Sequence, residues 1–255
     1  MSGGFIDRFS ESAAAYRQGR PSYPDALFEA LAALAPGREL AWDCGTGSGQ
    51  AAVGLAAHFA GVHATDPSER QLAEAAAHER VSYSLERAER VSLPDASADL
   101  VLAAQSLHWF DLDPFYDEAK RVLKRDGILA AAGYDWMYVS PEIDRAINER
   151  LLPPLDPHWA PQNRLLWDGY RSIPFPGEEI RIGAFAIYVD WSVENLRSYV
   201  LSWSAARDLL GSGGEAKLEE GLADVARLWG GVRRRVVMPL HLRVARLSGL
   251  RVGAD

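Results

Sequence analysis

The run Asp43-Cys44-Gly45-Thr46-Gly47-Ser48-Gly49, set between an apolar stretch and a helical stripe, constrains this chain more than any other feature. Glycines at a strand-to-helix turn permit positive φ and let a ligand approach the backbone closely. The N–H groups at the start of such a helix can hold a carboxylate. The loop reads D-x-G-x-G-x-G. A dinucleotide fingerprint needs G-x-G-x-x-G, and Gln50 stands where its third glycine would fall. An acidic residue two places before the first glycine repels a pyrophosphate and suits a ligand with an ammonium group. A second carboxylate, Asp66, ends the next strand, at a distance from the loop that suits two ribose hydroxyls. Taken alone, Asp66 could equally cap a turn before Pro67.

The first half alternates strand and helix. Residues 25–35 place Ala26, Leu27, Ala30, Leu31 and Leu34 on one stripe, and Pro36-Gly37 stops that helix. Strands are expected at 39–43, 61–66, 81–85, 99–104 and 127–134, with helices at 49–60, after Ser68, and from Asp113-Pro114. Such alternation implies a parallel sheet covered on both faces, with ligands at the carboxyl ends of its strands. The pattern breaks at 136–178, which is rich in proline and aromatics, among them Trp136, Trp159 and Trp167. A helix at 141–152 and an irregular covering segment fit it, since long irregular segments in compact domains are usually lids or binding loops. Late strands at 180–190 and 233–247, with helices near 193–210 and 214–229 between them, would pair antiparallel at the sheet edge. Three regions follow: an N-terminal arm and helix (1–35) closing over the ligand, a Rossmann-like core (36–135), and a cap with the last strands (136–255).

Composition narrows the partners. The 255 residues carry a net charge of -8, which argues against a nucleic-acid backbone as substrate. The arginines at 233–251 read as a charged strand face. No apolar run reaches the length of a membrane span, and MSGGFIDRF lacks the layout of a secretory signal. With one cysteine, Cys44, no internal disulfide can form, and the cytoplasm is the expected compartment. No His, Cys and Asp spacing suits a metal.

Several stretches together resemble the class I S-adenosylmethionine (SAM)-dependent methyltransferases, and within them the type 11, trans-aconitate methyltransferase-like small-molecule subgroup. They are AYRQGRPSYP (15–24), WDCGTGSGQAA (42–52), ATDPSERQL (64–72), RAERVSLPDASADLV (87–101) and AAQSLHWFDLDPFYDEAKRVLKRDGILA (103–130), with weaker likeness in GYRSIPFP (169–176) and SYVLSWSA (198–205). The glycine loop defines only the superfamily; YRxGRPxYP with QxLHWF is more specific. Lys124-Arg125-Asp126-Gly127 departs from the common LKPGG turn, and Cys44 from the usual small or apolar residue.

The resemblance implies an α/β Rossmann-like fold with a seven-stranded, mostly parallel sheet and an aromatic-rich cap. It implies SAM as cofactor and S-adenosylhomocysteine (SAH) as product. Gly45, Thr46, Gly47, Gly49 and Gln50 would surround the methionine part, with Asp43 near its ammonium group. Asp66 and Pro67 would hold the ribose, Ala88 and Glu89 the adenine, and Gln105 would stand beside the sulfonium. Tyr16 and Arg20 belong to the closing arm. Arg20 is a candidate carboxylate partner through its planar fork, or a salt bridge fixing the arm.

His108, at a strand's carboxyl end, is the candidate base or substrate contact, or else a loop histidine satisfied by backbone. Trp109 and Tyr23 are candidate substrate contacts. The expected activity is methyl transfer to a small molecule, at a carboxylate or hydroxyl oxygen. A SAM-binding protein without activity and a methyltransferase acting on a macromolecule stand as alternatives.

Overall fold

The structure, a computed structural model, describes residues 20–247. Five strands run parallel: β1 (Leu40–Cys44), β2 (Gly61–Asp66), β3 (Val81–Leu85), β4 (Ala98–Ala104) and β5 (Leu123–Tyr134). Between and before them lie α1 (Asp25–Leu34), α2 (Gln50–Leu55), α3 (Glu69–Ala73) and α4 (Leu112–Val122). The later half contributes α5 (Pro141–Ala146), α6 (Asn163–Trp167), β6 (Glu178–Glu179), β7 (Ala186–Trp191), α7 (Val193–Leu201), α8 (Ser204–Gly211), α9 (Glu215–Trp229) and β8 (Arg234–Arg246). The sheet order is β3-β2-β1-β4-β5-β8-β6, with β7 also paired to β8. β1 lies between β2 and β4, so strand order reverses there and opens the crevice where such sheets bind ligands.

Period-two alternation sorts the strand residues between two cores. Ala41, Leu100, Leu102, Ile128 and Ala130 face α1 and α2. Trp42, Val101, Ala103, Leu129 and Ala131 face α4. Each of the larger buried side chains contributes roughly 1.5–3 kcal/mol. The stripe of α1 is rotated from the sequence reading: Leu27, Phe28, Leu31 and Ala32 are buried, because Phe28 packs against Gly54 of α2. This helix covers a sheet face, and none of its residues lines either cavity described below.

The sheet has eight strands where seven were expected. The run 180–190 is strand only over β7; residues 180–185 bond β8 at their ends, through Ile180 and Phe185, and bow away between. The separate two-residue β6 results. β8 is antiparallel to β5 and pairs it from Ile128↔Arg246 to Tyr134↔Leu240. Its first half therefore projects past the carboxyl end of β5, where β7 and Tyr138 join it. That projection carries a third core, built from α5 and the π-helical turn Ile147–Leu151 that continues it, with α7, α9 and β7. Geometry thus sets this cap at the end of the sheet where the glycine loop lies.

Candidate active site

The loop between β1 and α2 is held by its neighbours. The Gly45 and Thr46 N–H groups both donate to the Thr65 carbonyl at 2.9 Å. Gly45 has φ +69, and a Cβ there would fall 2.6 Å from Ser106 Cβ, so only glycine lets the β1 and β4 loops meet. Ser106 Oγ completes that junction by donating to the Cys44 carbonyl at 2.8 Å. Asp66 accepts from Gly47 N–H through one oxygen and from Ser68 N–H through the other, both at 2.9 Å. Each carboxylate oxygen retains capacity for a further donor, as a ribose diol requires.

A cavity of about 490 Å³ opens over these loops, a size typical of ligand sites. Gly45, Gly47, Asp66 and Pro67 form one part of its wall, Ala88 and Glu89 another, and Gln105, His108 and Trp109 a third. A smaller space of about 60 Å³ adjoins it and is lined by Tyr23, Thr46 and Gln50; Arg20, Gly45, Gly47 and Gln105 border both. Gln50 Nε2 is buried there with no hydrogen-bond partner among the described residues. Arg20 lies with its guanidinium 5.5 Å from the Tyr199 ring centroid and its Nη1 3.5 Å from the Tyr134 hydroxyl. An amide donor without a partner beside a guanidinium complements a carboxylate, and Asp66 complements a diol. The residues present therefore fit the two ends of SAM.

Two residues of the sequence reading reach neither cavity. Asp43 lies fully buried beneath the loop, where the Thr46 hydroxyl donates to it and its Oδ1 has no partner among the described residues. Burial pushes its carboxyl up to about 7, assisted by the Asp66 charge and opposed by Thr46. Gly49, at φ +85, instead starts α2, and a Cβ there would lie 2.3 Å from the Tyr83 hydroxyl. Tyr16 lies outside the described residues. Tyr23 packs on Phe28 and Tyr134, where the first sheet core meets the cap core.

Others line the cavity with their side chains already engaged. Gln105, held at φ +59, donates to the Tyr134 carbonyl and accepts from the Tyr134 N–H, each at 2.8 Å. It clamps the ends of β4 and β5 together. Glu89 accepts the Asp111 N–H at 3.1 Å and lies 3.3 Å from Arg87.

His108 sits in a short 3-10 turn after β4, nearly fully buried. Its Nδ1 lies 3.1 Å from the Tyr170 hydroxyl. Among the described residues that buried phenol has no other hydrogen-bond partner, so its O–H donates to Nδ1 and the ring proton resides on Nε2 of this cavity-lining side chain. Burial, with the nearby Arg20 charge, lowers the imidazole to about 3. The ring is a neutral donor and a weak base.

The cap supplies what sequence reasoning missed. Trp136, Trp159, Trp167 and Trp203 all line the cavity, as do Asn163 and Ser204. Aromatic enrichment marked the segment 136–178 but not the face its rings present. Trp203, arriving from the turn before α8, carried no such signal.

Comparison with known proteins agrees with this geometry. Residues 42–131 match a family model described as a methyltransferase domain. A Dictyostelium discoideum protein named as a methyltransferase is 33% identical over 220 residues, covering 85% of this chain and 84% of that protein. A Saccharomyces cerevisiae protein named as an S-adenosylmethionine-dependent methyltransferase is 30% identical over 147 residues; the match spans 54% of this chain and 49% of the yeast protein. A solved structure described as a type II methyltransferase from Anaeromyxobacter dehalogenans superposes with TM-score 0.84 at 38% identity, over 91% of this chain and 99% of that one. The chain belongs to the class I SAM-dependent methyltransferases: it is an enzyme, and its cofactor is S-adenosylmethionine.

Proposed function

We propose that the protein methylates a small molecule at an oxygen, a carboxylate in preference to a hydroxyl. The carrying observation is the cavity: it runs from the carboxyl ends of the parallel strands to the cap, and the histidine in its wall is a weak base. A hydroxyl would need to lose a proton to a base, and His108 is held neutral and weakly basic. A carboxylate is already a nucleophile at neutral pH. The subgroup resemblance supports the same choice.

In this reading Asp66 and Pro67 hold the ribose and Ala88 and Glu89 border the adenine. Arg20 and Gln50 meet the methionine carboxylate, and Gly45, Thr46 and Gly47 form the floor beneath it. Asp43 acts on the ammonium group through its field from beneath the loop, and Gly49 acts by shaping the loop. Tyr16 belongs to the arm that precedes Arg20. SAM, when bound, supplies an already activated methyl group. The protein's task is alignment and exclusion of water, which can contribute roughly 7–11 kcal/mol. Trp109 walls the reacting region, and His108 directs its Nε2–H at the acceptor. The net charge of -8 supports a small acceptor over a nucleic acid. The buried Cys44 suits a cytoplasmic protein. No helix among the described residues is long and apolar enough to cross a membrane.

The test is incubation with methyl-labelled SAM and a cell extract split into small-molecule and macromolecular fractions. Label in the small-molecule fraction, released as methanol by mild base, is expected of a methyl ester. Base-stable label, or label confined to macromolecules, would overturn the reading.

A further inference from the structure

Four of the chain's eight tryptophans meet at the cap end of the cavity. The Trp136 and Trp167 rings stack at 5.6 Å, Trp159 meets Trp167 edge-on at 5.7 Å, and Trp203 lies 5.6 Å from Trp159. Indole walls take up flat, polarisable partners through offset stacking and edge-to-face contact. The polar groups between these walls include several N–H donors. Trp159 Nε1 is buried without a hydrogen-bond partner among the described residues, and an indole N–H can only donate. Asn163, almost fully buried on α6, brings a side-chain amide that makes no hydrogen bond to the described residues. His108 adds Nε2–H. A buried donor without a partner, as at Trp159, costs free energy until an acceptor arrives, and with the amide of Asn163 and the Nε2–H of His108 beside it the site suits oxygen lone pairs.

Charge sets the number of those oxygens. Among the described residues the arginines lining the cavity are Arg20, given above to the methionine carboxylate, and Arg87, which lies 3.3 Å from Glu89. Asp135, the carboxylate nearest the tryptophans in sequence, lies 3.1 Å from His241 Nε2. A tricarboxylate would bring three negative charges to a space that also holds Asp66 and Glu89, without cations to match them.

Resting on the methyl-transfer reading above, we propose that the acceptor is an aromatic or other planar conjugated acid with one carboxylate. Its ring lies against the tryptophan walls, and its carboxylate meets the N–H groups of His108, Asn163 and Trp159. In the step itself a carboxylate oxygen forms the new bond to the methyl carbon. The carbon–sulfur electron pair stays on sulfur, the two opposite charges cancel, and no proton moves.

The test uses the purified protein saturated with SAH, titrated with benzoate, cinnamate and indole-3-acetate. Hexanoate, a tricarboxylate and phenol serve as comparators. Intrinsic tryptophan fluorescence is the binding readout, and methyl ester formed from SAM the chemical one. Quenching and ester formation with the aromatic monocarboxylates, at least about tenfold tighter than with any comparator, are expected. Asn163→Ala should raise the KM of the preferred acid about tenfold, the loss of one hydrogen bond to a charged group, while leaving SAH affinity unchanged. SAH binding together with equal or better response to hexanoate, the tricarboxylate or phenol would overturn the aromatic-acid assignment alone. Failure of SAH itself to bind would instead overturn the cofactor-site reading beneath it.

Discussion

The Tyr170 hydroxyl lies 3.1 Å from His108 Nδ1, and both side chains are buried. Tyr170 is held at φ +60, a conformation that non-glycine residues adopt at a cost, right after Gly169 at φ +69. The turn leaving α6 is thus shaped to deliver one phenol to one imidazole. The phenol fixes the tautomer, and burial, with Arg20, holds the ring neutral with a pKa lowered from 6.5 to about 3.

The rate should therefore show no inflection near pH 6.5. If His108 were the general base with an ordinary pKa, kcat/KM would fall tenfold per unit below that pH. Stability carries the opposite signature. Between pH 6.5 and about 3 the unfolded chain gains a proton on this histidine that the native state does not, so stability falls as pH falls through that window. His108→Gln should flatten part of that fall in thermal melts.

Tyr170→Phe should cost on the order of 1 kcal/mol in stability, the loss of one buried hydrogen bond. It also frees the ring proton to move to Nδ1. The acceptor KM should rise with little change in SAH affinity, and steady-state kinetics beside a SAH titration would separate the two effects.

Asp43 gives a pH dependence of the other sense. Its carboxyl is raised from 3.8 to about 7 in the native state, chiefly by burial. Between those values the unfolded chain releases a proton that the native state retains, so stability is lost as pH rises through the window. For this fully buried group the effect is on the order of 4 kcal/mol. Asp43→Asn should be as stable as the parent at pH 5 or less so, and more stable at pH 8. It should bind SAH more weakly at pH 8, where the parent carries the charge that attracts an ammonium group. Melts and titrations at the two pH values check both halves.

Gly45→Ala should lose about 1–2 kcal/mol from the backbone conformation alone, with further loss from contact with Ser106. Because Ser106 and Gly45 join the β1 and β4 loops, SAH affinity should drop with it. Calorimetry on a variant shown folded by circular dichroism reads that drop.

The parts of this account legible in the sequence are those fixed by local pattern. The loop from Asp43 to Gly49, the strand end at Asp66 and the alternating strands follow from period and turn chemistry, and the structure has a loop after β1, Asp66 at the end of β2 and five parallel strands. The wall residues Ala88, Glu89, Gln105, His108 and Trp109 were legible through resemblance. Side-chain engagement was not: nothing local says that Gln105 would spend its amide on Tyr134, or that Asp43 would sit beneath the loop. The cap was legible only as aromatic composition. Trp203 and Asn163 reach the cavity, and Tyr170 reaches His108, through contacts between distant segments that no single segment encodes.

Calorimetric titration of SAH into the wild type and into Asp66→Ala, with folding checked by circular dichroism, tests the central claim most directly. The account predicts micromolar binding by the wild type and a loss of at least about tenfold in the variant, since a carboxylate accepting from the ribose would be gone. Equal affinity in a folded Asp66→Ala protein would contradict it, because the cofactor would then lie somewhere other than the cavity over the glycine loop.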